Sequence, residues 1–176
     1  YYVFFSNQKY RAIKANNSGR FKHEISPIKI SSRTGDIIVD KDEEPGKVKF
    51  DKIPTLKPVF NKDGVVTAAN ASSINDGAAA LLVMSEDKAK ALNLKPLVEI
   101  VAQSSAAKAP IEFTTAPVDA INKVLKKAGM TTKDIGLYEI NEAFAVVSLA
   151  VNKLLGLTSE NVNVNGGAVA LGHPIG

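Results

Sequence analysis

The sequence predicts an α/β layered fold, and three observations carry that prediction. From residue 64 onward, short apolar runs alternate with helix-patterned stretches, the order that builds sheets covered by helices. The stretch 141–155 is apolar on nearly every side, through Phe144, Val147, Leu149, Val151 and Leu154 among others. This is the pattern of a helix sandwiched between sheets, and it leaves no amphipathic membrane face. Finally, residues 163–168 run into a glycine-rich turn, Gly166-Gly167. At 176 residues and 45% hydrophobic, the chain is long enough to bury a core, as one domain or two small ones.

The elements follow in order. Residues 8–17 predict a helix stopped by Asn17-Ser18-Gly19. Residues 24–30 alternate apolar and polar at period two, as a half-buried strand does. Arg33-Thr34-Gly35-Asp36 reads as a turn and residues 37–39 as a second short strand. Residues 41–57 are charged and carry Pro45, Gly46 and Pro54, which predicts an exposed connection. Residues 78–84 form a continuous apolar run and predict a strand buried on both faces. Ser85 caps a helix through residue 93, with Glu86 and Asp87 in the first turn where the macrodipole favours acids. Residues 97–102 and 135–140 predict two further strands. Residues 116–128 predict an amphipathic helix with Pro117 in its first turn and Gly129 past its end, and residues 141–155 a helix ended by Gly156.

Composition excludes several classes of chemistry. With no cysteine, these residues supply no disulfide scaffold, Cys-ligated zinc, iron–sulfur cluster or thiol nucleophile. Two histidines, His23 and His173, remain for imidazole chemistry. The net charge of +4 suits an anionic small ligand but argues weakly for nucleic acid, because aromatic residues are only 6% and no Lys/Arg stripe carries stacking residues. No apolar run approaches the roughly 18–20 residues that span a bilayer. The opening residues 1–5 are too short for a signal segment, and the missing initiator Met predicts that the natural N-terminus lies upstream.

Three places invite chemistry. Asn141-Glu142-Ala143-Phe144-Ala145 lies where a strand ends and a helix begins, the edge at which open α/β proteins place ligands. The plainer reading makes Asn141 an N-cap and Glu142 a first-turn acid. In the stretch 165–176, glycines flank His173 and let backbone approach a ligand, while Pro174 restricts His173 to an extended backbone. Its imidazole would act as a base or as an N–H donor to an oxyanion, or serve only the turn. His23, between Lys22 and Glu24, reads as surface. Ala68-Ala69-Asn70-Ala71-Ser72 offers small residues that would line a narrow channel or simply allow backbones to pack.

Together, residues 66–80, the Asn141–Ala145 stretch, residues 163–176 and Phe113-Thr114-Thr115-Ala116-Pro117 resemble the thiolase family. The resemblance is continuous from about residue 41 and weaker before it. It implies a five-layer αβαβα fold, divided here into the remainder of a loop domain (1–74), the last strand and helix of an N-terminal domain (75–95) and a truncated C-terminal domain (96–176). It implies a reversible Claisen condensation through an acetylated cysteine, with a second cysteine as acid/base. Asn141 would hold a water of the oxyanion hole, and His173 would donate the other hydrogen bond and help generate the thiolate. Ser72 would contact the pantetheine arm of CoA, Phe60 the adenine side, and Phe144 a wall near the reacting centre, with Lys47 near the nucleotide phosphates.

The same resemblance implies CoA or acetyl-CoA as substrate and no tightly bound cofactor. Potassium would be held by the carbonyls of Ala68, Ala69 and Ala71, although the position of an assisting tyrosine falls near Lys9. Homodimers or homotetramers, and a cytoplasmic or mitochondrial-matrix location, are also implied. The family's nucleophilic cysteine would lie upstream of this chain and its acid/base cysteine downstream of Gly176, so the chain reads as a fragment without activity of its own. The short-chain branch of the family fits best. A longer-chain 3-ketoacyl-CoA thiolase, or a non-catalytic acyl-CoA or lipid carrier, are the alternatives.

Overall fold

The structure is a computed structural model that describes residues 2–175. Tyr1 and Gly176, the first residue and the end of the second glycine-rich motif, lie outside the described residues. Helix α1 (Tyr2–Asn17) is longer than the predicted 8–17, because the aromatic residues before it also bury: Phe5 packs with Ala69, Ala145 and Val169, and Phe4 lies against them. Strands β1 (Ile28–Ser32) and β2 (Gly35–Val39) pair antiparallel around Arg33-Thr34. The half-buried strand predicted over 24–30 is corrected here. Pairing begins only at Ile28, one residue after Pro27, which has no N–H for a ladder, and the hairpin is exposed on both faces. The charged connection that follows contains two short 3-10 turns, Glu44–Lys47 and Phe50–Thr55, and Pro45 in the first is buried.

Helices α2 (Glu86–Ala91), α3 (Ala116–Ala128) and α4 (Ala145–Leu155) match predicted helices, and α5 (Ala168–Leu171) is a single turn after the paired glycines. Ser85 caps α2 as expected, its hydroxyl accepting from the Lys88 N–H at 3.2 Å. One core gathers Val147 and Val151 of α4 with Tyr138, Ile140 and Val162, and α3 adds Val118 and Ile121. Helix α4 is not buried all round. Leu154 is 58% exposed, because α3 and residues 135–140 cover only one side of α4.

The strands predicted at 78–84 and 97–102 form no ladder among the described residues, and they are not buried. Leu81 is 91% exposed and Leu97 is 99% exposed. A strand is stabilised by hydrogen bonds to a neighbour, and neither run has one among the described residues. The run 135–140 is reduced to one parallel bridge, Tyr138 to Val162, although Tyr138 and Ile140 are buried as a strand end would be.

Candidate functional site

The site is assembled from three separated stretches that pair edge to edge. The backbone N–H of Ser72 donates to the Ala143 carbonyl at 3.0 Å, and the N–H of Ala145 donates to the Asn70 carbonyl at 2.8 Å. These bonds frame an antiparallel bridge between Ala71 and Phe144. They also account for a late helix start. With Ala143 and Ala145 engaged across to 70–72, residues 141–144 stay out of the helix and Phe144, not Asn141, is the N-cap of α4. The readings of Asn141 as N-cap and Glu142 as first-turn acid are both corrected. Two residues further along the 68–75 stretch, the His173 N–H donates to the Ser73 carbonyl at 2.8 Å and Ile74 bridges His173 in parallel.

This arrangement brings Asn141 and His173 together, with the Asn141 amide nitrogen 3.2 Å from His173 Nε2. In this orientation the amide N–H donates and the ring proton sits on Nδ1; turning the amide over lets Nε2–H donate to Oδ1 instead. Either way, the Asn141 amide and the His173 ring stand side by side at an exposed edge of the site. Gly172 delivers His173 to it. Its φ of +94° is a left-handed backbone, and a Cβ there would collide with the Asn75 side-chain amide, so only glycine fits. Beside Asn141 a cavity of about 310 Å³ runs under α3, lined by Phe113, Pro117, Ile121, Glu139 and Ala143.

Behind the pair lies a polar knot that sequence reasoning missed. Glu142 is fully buried. Its carboxylate accepts from Asn163 Nδ2 at 2.6 Å, from the Val169 N–H at 3.3 Å and from Ser148 Oγ at 3.5 Å. Burial pushes its carboxyl above the ordinary range; the Asn163, Val169 and Ser148 hydrogen bonds partly offset this, and the charge of Glu139 adds to it. Gly167 lies directly against this carboxylate, where a Cβ would overlap it. Asn163 in turn clamps Ile140, accepting from its N–H at 2.7 Å and donating to its carbonyl at 2.9 Å. It does so from a left-handed backbone (φ 47°), a conformation asparagine tolerates better than most residues. An Asn in a Gly-rich turn was the only sequence signal available for that clamp.

The remaining predicted residues divide. Phe144 stands between Phe60 and Phe113, edge to face at 6.2 and 6.1 Å between ring centres, a favoured aromatic geometry. Ser72 adjoins them, its hydroxyl donating to the Ala143 carbonyl at 3.0 Å. Lys47 is not drawn to the Asn141–His173 pair. Its ammonium bonds the carboxylates of Glu43 at 2.9 Å and Glu44 at 3.1 Å. His23 is exposed, as read. The carbonyls of Ala68, Ala69 and Ala71 accept no hydrogen bond among the described residues, which leaves oxygen donors of the kind a hard cation uses. The neighbouring corner nevertheless already holds a positive charge, the buried ammonium of Lys9 over the Phe5 ring. That ammonium bonds the Glu44 and Ala170 carbonyls and leaves those of Ala68, Ala69 and Ala71 without a bond from it.

Comparison with known proteins gives the family of this chain. The family model described as the thiolase N-terminal domain matches residues 4–87, and the one described as the thiolase C-terminal domain matches residues 94–176. The chain belongs to the thiolase family. It is 55% identical over 167 residues to a probable acetyl-CoA acetyltransferase of Dictyostelium discoideum, covering 94% of this chain and 40% of that one. The crystal structure of the Bacillus anthracis acetyl-CoA acetyltransferase superposes with a TM-score of 0.94 at 46% identity, covering 99% of this chain and 44% of that one. The Acat5 thiolase of Ascaris suum, solved in complex with coenzyme A, gives 0.93 at 41% identity, with 99% and 45% covered. The chain thus spans about two fifths of the length of the thiolases it matches. It follows the thiolase α/β fold even where its own strands are unpaired. No helix among the described residues is long and apolar enough to cross a membrane.

Proposed function

We propose that the full-length protein carrying this chain is an acetyl-CoA C-acetyltransferase, which joins two acetyl-CoA molecules into acetoacetyl-CoA and CoA and runs the reverse cleavage. The 3.2 Å pairing of Asn141 with His173 carries the proposal, because two adjacent hydrogen-bonding groups suit an oxygen that gains charge. In the first half-reaction a cysteine thiolate attacks the acetyl-CoA carbonyl and CoA leaves as thiolate. In the second, a base removes a methyl proton from another acetyl-CoA, the enolate carbon attacks the acyl-cysteine, and the cysteine thiolate is released. Negative charge gathers on a carbonyl oxygen in each step. His173, and a water held by Asn141, stabilise it there without reorganising.

No cysteine is present in these 176 residues, so both thiols belong to other parts of the protein in this proposal. The division at 74/75 and 95/96 is kept with it; the second boundary lies beside the junction of the two family matches at 87–94, while the first falls inside the N-terminal match. Exposed apolar residues such as Leu81, Val83, Leu97 and Val98 suit surfaces covered by the rest of a thiolase and by its partner subunits in a homodimer or homotetramer. Phe60, Phe144 and Ser72 form the CoA-facing wall. Lys47 lies close to it through Glu44, whose carboxylate accepts from Ser73 Oγ at 3.4 Å.

Ser72→Ala is expected to weaken CoA binding by about 1 kcal/mol, one neutral hydrogen bond, or roughly fivefold in Kd by titration. The decisive experiment is expression of the full-length protein and assay of CoA-dependent cleavage of acetoacetyl-CoA. Turnover that exceeds cleavage of longer 3-ketoacyl-CoA substrates supports the proposal; no turnover from a protein that contains both cysteines overturns it.

A further inference from the structure

We propose that Lys9 is a built-in cation that positions His173, its buried ammonium joining the two segments of backbone that hold the imidazole. Only 4% of Lys9 is exposed, on the inner side of α1. Its Nζ donates to the Ala170 carbonyl at 2.9 Å and to the Glu44 carbonyl at 3.0 Å, and it lies 5.4 Å from the centre of the Phe5 ring. A buried lysine normally pairs with a carboxylate. Here the carboxylate of Glu44 is directed instead to Lys47 and Ser73, and the ammonium takes main-chain oxygens and an aromatic face. Those are ligands a small monovalent cation would choose.

Both oxygens lead to His173. Ala170 lies in the single turn of α5, three residues ahead of the imidazole, and its carbonyl is fixed from the α1 side by Lys9 alone among the described side chains. Glu44 reaches the other side. Its carboxylate accepts from Ser73 Oγ, and the Ser73 carbonyl receives the His173 N–H at 2.8 Å. Without a cation there, the buried Ala170 carbonyl would lose the Lys9 hydrogen bond and the Glu44 turn would lose its tie to α5. They would part by rotating α5 or the Glu44 turn, and either motion shifts His173. Displacements below an ångström at such a centre are costly to turnover. A charge supplied by the chain also removes the need for potassium in this corner. Lys9 is therefore a positioning residue that never touches substrate.

The activity part of the test rests on the thiolase reading; the exchange part does not. In the full-length protein, Lys9→Ala is expected to lower kcat about 10- to 100-fold with KM for acetyl-CoA nearly unchanged. Methylammonium chloride restores much of that loss and choline chloride does not. The unmodified protein performs equally in potassium and choline salts. Amide hydrogen exchange over residues 166–173 rises in Lys9→Ala and falls again with methylammonium. If Lys9→Ala does not fold, Lys9→Met, which keeps the stem, must show the same loss and the same accelerated exchange. An unmodified protein that needs potassium overturns the proposal, as does a Lys9→Met variant with normal turnover and exchange. A protein without thiolase turnover overturns the functional reading, while exchange over 166–173 still decides the role of Lys9.

Discussion

Replacing His173 by alanine in the full-length protein is expected to lower kcat for acetoacetyl-CoA cleavage about 100- to 1,000-fold, with little change in KM. Removing one preorganised donor from an oxyanion site costs about that much, because the charge it meets exists only in the transition state. Asn141→Ala is expected to fall in the same range. The two losses should not multiply, since the groups stand 3.2 Å apart and serve one oxygen. His173→Asn, which restores an N–H near the same place, should recover part of the loss. Steady-state kinetics on the three single variants and the double variant checks this. Near-normal turnover in both alanine variants would show that the pair is structural.

Glu142→Ala is expected to be the most destabilising single change in the described core, by about 2–4 kcal/mol, seen as a lowered urea midpoint. The cost arises because the Val169 N–H and one Asn163 N–H are stranded without an acceptor in a dry interior, each worth about 1–3 kcal/mol. The carboxylate itself is held at a cost, since burial raises its folded pKa above the unfolded value near 4.3. Between those two values the folded state binds the extra proton. Stability from this group is therefore greatest below the unfolded pKa, declines as pH rises through the folded one, and stays lower above it. Glu142→Gln removes that titration while keeping one acceptor, so its stability relative to the unmodified protein should improve as pH rises through that window. A midpoint difference between Glu142→Gln and the unmodified protein that does not change with pH would mean that Glu142 is solvated, contrary to its burial.

Local signals were legible wherever the physics is local. Pro117 and Gly129 bracket α3 as read, Ser85 caps α2, and Gly156 ends α4. The motif around Asn141 and the Gly172-His173-Pro174 turn stood out as candidate sites because both pair polar groups with small neighbours at element ends. The strands failed where partners were needed. Residues 78–84 and 97–102 have the apolar composition of buried strands, yet burial depends on a neighbouring strand, which no property of those residues supplies. Glu142 failed for a related reason. Its placement in the core depends on Asn163, Ser148 and Val169, which are from 6 to 27 residues away.

By itself, then, the sequence determined the thiolase resemblance, the ends of the helices and the Ser85 cap of α2, and it singled out Asn141, His173, Ser72, Phe60 and Phe144 as candidates. These rest on side-chain chemistry and short-range spacing, both written directly in residue order. Only the tertiary structure decided that Asn141 and His173, 32 positions apart, face one another, and that Lys9 and Glu142 are buried behind the site. Each of those outcomes follows from which distant chain segments meet and which polar groups they leave to be paired, a relation that does not exist until the chain has folded.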